Sequence, residues 1–238
     1  MSGKVILSTR KHQQQDIDLF RNNGFKLITY PLLTFEYSVP DAVKVDDKKK
    51  PIGWIVTSKN GANGLRRMLE QEISLPKPEM IVATGPKTAE PLADLKQDVY
   101  VPDTQNAGGI ARFIIENRPD VHWVHFCGNL TRPELGEKLR EFDIGYQTLE
   151  VYQTLKAPDL PDALPLSDAV LFYSPSAVAV WFEYFPEYIK HNKPLCVAIG
   201  PTTLDAFKTH FRHPCVMAEQ PNISAMLKAV KQNIGHSS

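Results

Sequence analysis

WIVTSKNGANGL (Trp54–Leu65) returns as VLFYSPSAVAVW (Val170–Trp181), and MIVATGPKTAEPL (Met80–Leu92) returns as LCVAIGPTTLDAF (Leu195–Phe207). In each pair a short apolar run ends in Ser, Thr or Gly and hands over to residues with helical spacing. That is the pattern of a buried parallel strand feeding a helix. Ser58 pairs with Ser174 and Gly85 with Gly200, at offsets of 116 and 115 residues. The rule extends outward, since KVILSTR (Lys4–Arg10) resembles HFCGNLTR (His125–Arg132) and GFKLITYPL (Gly24–Leu32) resembles IGYQTLEVYQ (Ile144–Gln153). A chain that repeats itself strand for strand implies two similar lobes. Open α/β sheets bind ligands at the carboxyl ends of their strands, so the two sets of strand-to-helix loops are expected to face one another across a cleft.

The length of 238 residues suits two modest domains, each large enough to bury its own core. Hydrophobic residues make up 42% and charged residues 23%, ordinary values for a soluble protein, and the formal net charge is zero. Bulk attraction to nucleic acid or to a membrane surface is therefore not expected, although a cleft can still concentrate positive potential. Cys127, Cys196 and Cys215 fall in or beside apolar strands without metal-ligand spacing, which points to a reducing, cytoplasmic setting. No apolar run approaches the roughly 20 residues of a membrane span and the first strand is entered at once, so neither a membrane span nor a signal segment is expected.

Ten strands are expected, near Val5–Ser8, Phe25–Tyr30, Trp54–Thr57, Met80–Thr84, Val99–Val101, Trp123–Cys127, Tyr146–Tyr152, Ala169–Tyr173, Leu195–Ile199 and Cys215–Ala218. Helices follow at Asn60–Glu70, Lys87–Leu95, Ser176–Tyr184 and Thr202–Phe211, three of them opened by a proline whose missing N–H costs nothing there. Two polar, proline-bearing stretches break the rhythm, Glu36–Gly53 and Lys156–Ser167. Read as crossings between lobes, they make one domain discontinuous. The expected division is residues 1–35 with 157–238 as one α/β domain, 54–152 as the inserted α/β domain, and linkers at 36–53 and 153–156. Each domain is expected to be a flavodoxin-like parallel-sheet sandwich. No helix or edge advertises a second apolar face, so a monomer is expected.

The strand-to-helix loops share one property. Thr57-Ser58-Lys59-Asn60, Thr84-Gly85-Pro86-Lys87-Thr88, Cys127-Gly128-Asn129, Ser174-Pro175-Ser176 and Gly200-Pro201-Thr202-Thr203 all offer hydroxyls or free N–H groups near a helix N-terminus, where the macrodipole favours an anion. Taken singly, each is equally a helix cap. Taken together with Arg10, Lys59, Lys87 and Arg132, they suggest a ligand bearing many negative groups. Tyr152 lies where a strand leaves one lobe for the other. There it is either a proton donor, a role typically worth about 10² to 10⁴ in rate, or a β-compatible aromatic that packs the junction.

Several chemistries lack their signatures. GxxxxGK[ST] is missing, no GxGxxG follows the first strand, and there is neither a GxSxG elbow nor a recognisable Cys/His pair. His122 and His125 differ by three on a strand and so point to opposite faces, while His210 and His213 lie near a helix end, so no metal site is expected. Two classes remain from the residues alone: an enzyme without metal or organic cofactor, and a two-lobed, non-catalytic binding protein for an anionic metabolite.

ILSTR, VTSKNGA, ATGPKTA, FCGN followed by Arg132, VYQT, YSPSAV, AIGPTT and AEQPNISAML stand in an order and spacing that resemble the uroporphyrinogen-III synthase (HemD-like) family across nearly the whole chain. The resemblance implies a two-domain, discontinuous fold. It also implies cofactor-free loss of water from hydroxymethylbilane, with closure to uroporphyrinogen III and inversion of the terminal ring through a strained spiro intermediate. That substrate is an octacarboxylate, which suits the hydroxyl and N–H loops. By motif, Tyr152 takes the place of the tyrosine proposed to assist hydroxyl departure. Thr88, Thr202 and Thr203 take hydroxyl positions lining the cleft, and Ser58, Lys59, Ser174 and Ser176 take corresponding loop positions. Read from the loops themselves, Arg10, Thr84, Gly85, Lys87, Cys127, Gly128, Asn129, Arg132 and Gly200 complete the expected substrate-binding set.

Overall fold

A computed structural model describes residues 3–38, 50–95 and 97–235. The chain divides into two compact units, one formed by the residues up to Thr34 together with those from Leu155 onward, the other by Phe35–Thr154. The first unit opens with β1 (Lys4–Ser8), α1 (Gln14–Asn22) and β2 (Phe25–Thr29), and β3 (Leu33–Tyr37) leads into the second. There follow β4 (Ile52–Val56), α2 (Lys59–Glu70), β5 (Met80–Ala83), the single turn α3 (Pro86–Ala89), β6 (Val99–Tyr100), α4 (Ala107–Asn117), β7 (His122–Gly128), α5 (Glu134–Arg140) and β8 (Tyr146–Lys156). The first unit then resumes with β9 (Ala169–Phe172), α6 (Pro175–Tyr184), α7 (Pro186–Asn192), β10 (Leu195–Ala198), α8 (Pro201–His210), β11 (Cys215–Met217) and α9 (Ile223–Asn233).

The sheet of the first unit has the order β2-β1-β9-β10-β11, with every pair parallel. Counted along the strands of that unit, this is the flavodoxin-like order 2-1-3-4-5. The second sheet has the order β3-β8-β7-β4-β5-β6. The sequence repeat maps β9, β10 and β11 onto β4, β5 and β6, and β1 and β2 onto β7 and β8. Apart from β3 at the edge of the second, both sheets thus have the same spatial order, although the chain enters them at different strands. In each, the order reverses at one place: between β1 and β9, and between β7 and β4.

Helices cover both faces of each sheet, which is why the strands read as apolar runs and not as alternations. In the first unit Ile6, Leu171 and Val197 face Phe20 of α1 and Met226 and Val230 of α9, while Leu7, Val170 and Phe172 face Val178 and Trp181 of α6 and Phe207 of α8. In the second, Trp54, Val124 and Phe126 face Leu65 and Met68 of α2, while Ile55, Val82 and Trp123 face Ile110 and Ile114 of α4 and Leu139 of α5. Cutting one of these buried leucines back to alanine costs about 2–5 kcal/mol.

Three expectations need correction. Eleven strands form among the described residues, because Leu33–Tyr37 pairs with β8. The Ala157 N–H donates to the Leu32 carbonyl and the Ser38 N–H to that of Val151, so the two run antiparallel. Glu36 and Tyr37, expected as linker, therefore belong to an edge strand, Ile52 and Gly53 belong to β4, and the return linker 153–156 is the end of β8. Residues 39–49 of the first linker lie outside the described residues. The helix expected over Lys87–Leu95 stops after Ala89 and tightens into a 3₁₀ turn at Glu90–Leu92. Pro91 explains this, since it has no N–H to continue the α ladder and its ring crowds the carbonyl four residues back.

Candidate functional site

In the second unit the segments that follow β4, β5, β6 and β7, together with Tyr152 of β8, surround a cavity of about 600 Å³, lined among others by Thr57, Thr84, His125, Thr131, Arg132 and Tyr152. It lies beside the β7/β4 reversal, where doubly wound sheets take their ligands.

Tyr152 owes its place to an irregularity in the β7–β8 ladder. Cys127 pairs with Glu150 but Gly128 with Tyr152, so Val151 is an extra residue and the phenol is carried over Gly128. A Cβ at Gly128 would clash with the Tyr152 ring, so this approach requires glycine. Phe35 meets the same ring edge-on at 6.2 Å, and Tyr37 lies at 6.3 Å. The phenol is 3.2 Å from Ser58 Oγ, which also accepts the Gly61 N–H at 3.0 Å and caps α2. Gly61 in turn has no room for a side chain, because a Cβ would meet the Phe126 carbonyl at 2.6 Å. Burial pushes the Tyr152 phenol above its ordinary pKa, outweighing the Ser58 hydrogen bond, which works the other way. Tyr152 therefore keeps its proton at neutral pH.

The loop after β7 is fastened at both ends. Thr131 Oγ1 donates to the Gly128 carbonyl at 2.7 Å, and Asn129 Oδ1 accepts the Thr154 N–H at 2.9 Å, leaving the exposed Arg132 at the cavity wall. Thr84 is tied to the end of β4 through its N–H to the Val56 carbonyl at 3.0 Å. Gly85 precedes α3 in extended backbone, with Lys87 exposed and Thr88 half-buried on that turn. Lys59 pairs with Glu90 at 3.5 Å in an exposed contact, so its charge is only loosely held.

The first unit repeats part of this arrangement. Ser174 caps α6 by accepting the Ala177 N–H at 3.1 Å, with Ser176 half-buried in the first turn. Gly200 opens α8 in extended backbone, with Thr202 exposed. The Arg10 guanidinium lies 4.0 Å over the Tyr173 ring, beside the β1/β9 reversal. Two candidates are turned inward. Thr203 is 2% exposed on the sheet-facing side of α8, and Cys127 is 4% exposed within β7, where burial pushes its thiol pKa up. Neither side chain presents itself to a ligand in this structure.

Two polar relays escape a reading of the sequence. Thr57 Oγ1 lies 2.9 Å from His125 Nε2, and His125 Nδ1 lies 2.7 Å from the Tyr146 hydroxyl. Ser8 Oγ lies 2.7 Å from His12 Nε2, and His12 Nδ1 lies 2.9 Å from Asp16. The second leaves a faint trace, the His12/Asp16 spacing of four at the start of a helix. The first depends on the register that sets Trp123 opposite Tyr146 and so puts His125 on a diagonal to it, which no local spacing reveals.

A protein-family model described as uroporphyrinogen-III synthase HemD matches residues 14–228. The chain belongs to the uroporphyrinogen-III synthase family. It is similar in structure to the uroporphyrinogen-III synthetase of Helicobacter pylori 26695, with 20% identity, a TM-score of 0.67 and coverage of 96% of this chain and 99% of that one. It is likewise similar to a mutant uroporphyrinogen III synthase of Thermus thermophilus, with 19% identity, a TM-score of 0.60 and coverage of 96% and 98%. At such identities the likeness speaks for the fold, and the family match carries the activity: a cyclising lyase of tetrapyrrole biosynthesis. The uroporphyrinogen-III synthase match begins at Gln14, so β1 and the Ser8–His12 contact lie ahead of it, while Ser58, Tyr152 and the cavity around them fall within it.

Proposed function

We propose that Tyr152 is the proton donor in this chain's conversion of hydroxymethylbilane to uroporphyrinogen III, and that the loops around it receive substrate carboxylates. One observation supports this above the others: a phenol that keeps its proton, held by Ser58 at 3.2 Å and opening on a cavity of about 600 Å³. Ser58 Oγ already accepts from Gly61, so its own hydrogen can be given to the Tyr152 oxygen, which leaves the phenol hydrogen directed outward.

The step balances without an external acid or oxidant. As the terminal C–O bond breaks, its electrons leave with oxygen, the phenol proton completes a molecule of water, and the pyrrole nitrogen's electrons form the azafulvene cation. Carbon–carbon bond formation consumes that cation, and loss of a proton from the closing carbon restores the pyrrole and returns one proton. The net change is loss of water, and this balance calls for no cofactor. Most of the remaining acceleration comes from holding a flexible polyanion in one folded shape.

Each unit offers its own carboxylate-receiving set. In the second unit these are Ser58, Lys59, Thr84, Gly85, Lys87, Thr88, Asn129 and Arg132; in the first, Arg10, Ser174, Ser176, Gly200 and Thr202. Hydroxyls and N–H groups at helix starts suit carboxylates because both the hydrogen bonds and the dipole favour the anion. A reducing cytoplasmic setting fits free thiols at Cys127, Cys196 and Cys215.

The test is to supply freshly made hydroxymethylbilane, oxidise the products and separate the uroporphyrin isomers. Isomer III is expected well above the spontaneous isomer I of an enzyme-free control. Tyr152→Phe is expected to lower kcat by about tenfold to a thousandfold with the fold intact. Unchanged turnover in a folded variant would remove Tyr152 as the acid.

A further inference from the structure

We propose that Tyr146, His125 and Thr57 form a one-way hydrogen-bond relay that fixes the Thr57 hydroxyl as a donor to a substrate carboxylate, which makes His125 and Tyr146 positioning residues. The identity of the ligand rests on the synthase reading; the relay itself does not.

The three side chains come from three adjacent elements of the second unit. Ile55 of β4 is registered with His125 of β7, and Thr57 follows two residues on, on the same face. Tyr146 opens β8 on that face too, packed against the core that contains Trp123 and Leu139. His125 is 1% exposed, yet both its ring nitrogens are engaged, at 2.9 Å by Thr57 and 2.7 Å by Tyr146. Thr57 and His125 both border the cavity that also holds Arg132, Glu134 and Tyr152.

Donor strength sets the direction of the protons. A phenol is a far stronger acid than an aliphatic alcohol, so of the two hydroxyls competing for the imidazole, Tyr146 donates, to Nδ1. The Nε2–H then donates to Thr57 Oγ1, and the Thr57 hydrogen is left without an acceptor in the relay. The reverse order would turn the phenol hydrogen away from its hydrogen-bond partner among the described residues, at a site where burial already favours the neutral phenol. Burial likewise holds His125 neutral, with its pKa pushed down to about 4, so the relay carries no charge at neutral pH.

A hydroxyl whose oxygen is already used as an acceptor has only a donor left to offer. It therefore discriminates for an anion or carbonyl oxygen and against a donor group. Arg132 at the same cavity supplies the complementary charge, and Glu134 limits how much negative charge can be accommodated on its side.

The test has two arms. Nitrogen-15 spectra of histidine-labelled protein should show His125 as the neutral Nε2–H tautomer at pH 7, and in Tyr146→Phe this preference should be lost. An Nδ1–H tautomer or an imidazolium in the wild-type protein would overturn the relay. In the second arm, uroporphyrin III, an octacarboxylate that cannot react, is titrated by its fluorescence. Tyr146→Phe and Thr57→Val are each expected to weaken its binding by about threefold to tenfold, with Thr57→Ser restoring it. In turnover, KM should rise by a similar factor while kcat changes less than about twofold. Equal affinity in all variants, or a fall in kcat with KM unchanged, would overturn the assignment. In a protein that formed no isomer III at all, the tautomer and the affinity ratio would still decide the relay.

Discussion

Ser8 in the first unit and Thr57 in the second both stand at the carboxyl end of a strand, and each meets a histidine Nε2, at 2.7 and 2.9 Å. The third member differs. In the first unit it is the Asp16 carboxylate, which can only accept, so His12 gives it Nδ1–H and Nε2 is left to take the Ser8 hydrogen. In the second it is the Tyr146 phenol, which donates and so reverses the order. The first arrangement consumes the hydroxyl hydrogen inside the protein; the second presents it to a cavity. Ser8, His12 and Asp16 have the connectivity of a nucleophile, base and orienting acid, yet Ser8 is 0% exposed and also accepts the Arg10 N–H at 3.4 Å. Its work is to fasten the loop that lays Arg10 over Tyr173. The repeat does not align the two relays, since one hydroxyl ends β1 and the other follows β4, which the repeat pairs with β9. Similar units have thus acquired similar contacts on opposite sides of the sheet reversal, and the chemistry of the outermost group decides whether the result is a fastening or a recognition site.

The largest expected effect separates the imidazoles by acid. His125 has its pKa lowered by burial from 6.5 to about 4, so between those values the unfolded chain binds a proton that the folded protein does not. Stability therefore falls as pH drops from about 6.5 towards 4, by about 3 kcal/mol in all from this group, and it is fully recovered above 6.5. His12 is shifted in the same direction, by burial against the opposing pull of Asp16, and adds to the loss. Urea unfolding followed by tryptophan fluorescence should show a shallower pH slope in His125→Gln than in the wild type. An unchanged slope would mean that His125 is charged or open to water in the folded state.

Asp16→Ala comes next, and it breaks the comparison on the other side. It strands a buried Nδ1–H on His12, whose side chain is 0% exposed, and should cost about 1–3 kcal/mol of stability in the same assay. Turnover per folded molecule should change little below the new midpoint. Thr57→Val likewise strands a buried N–H, the Nε2–H of His125, and should cost a comparable amount, about 1–3 kcal/mol, but unlike Asp16→Ala it should also weaken substrate binding. If both variants weakened binding equally, the two relays would have the same role.

Much of this frame is legible in the sequence, and the reason lies in how local each signal is. Ser58 and Ser174 announce themselves because a cap acts on an N–H three residues ahead, and the Gly-Pro starts of α3 and α8 are equally local. The discontinuous first unit is expected once the two polar, proline-bearing stretches are read as crossings. The strand Leu33–Tyr37 is hidden because its reason for being a strand is the distant edge of β8, and the polar residues after it disguise it as linker. The motifs around Thr203 and Cys127 point to a ligand, whereas the helical period turns Thr203 towards the sheet and the burial of β7 encloses Cys127, whatever the motif. His125 has no partner nearby in sequence, because its neighbours lie on β8 and at the end of β4.

The smallest expected effect isolates what Tyr152 adds to an otherwise repeated feature. Ser58 and Ser174 cap α2 and α6 with nearly the same geometry, accepting an N–H at 3.0 and 3.1 Å. Alanine at either position should therefore cost the same, about 1 kcal/mol. Only Ser58 also touches a phenol. Ser58→Ala leaves Tyr152 without the hydroxyl that turns its hydrogen outward, so kcat should fall by about threefold to tenfold, whereas Ser174→Ala should leave kcat within about twofold. The double variant Ser58→Ala/Tyr152→Phe decides between routes. If Ser58 acts through the phenol, adding the serine change to Tyr152→Phe lowers kcat no further; if the two losses multiply, Ser58 reaches the substrate independently and the phenol is oriented by Gly128 and its aromatic neighbours alone.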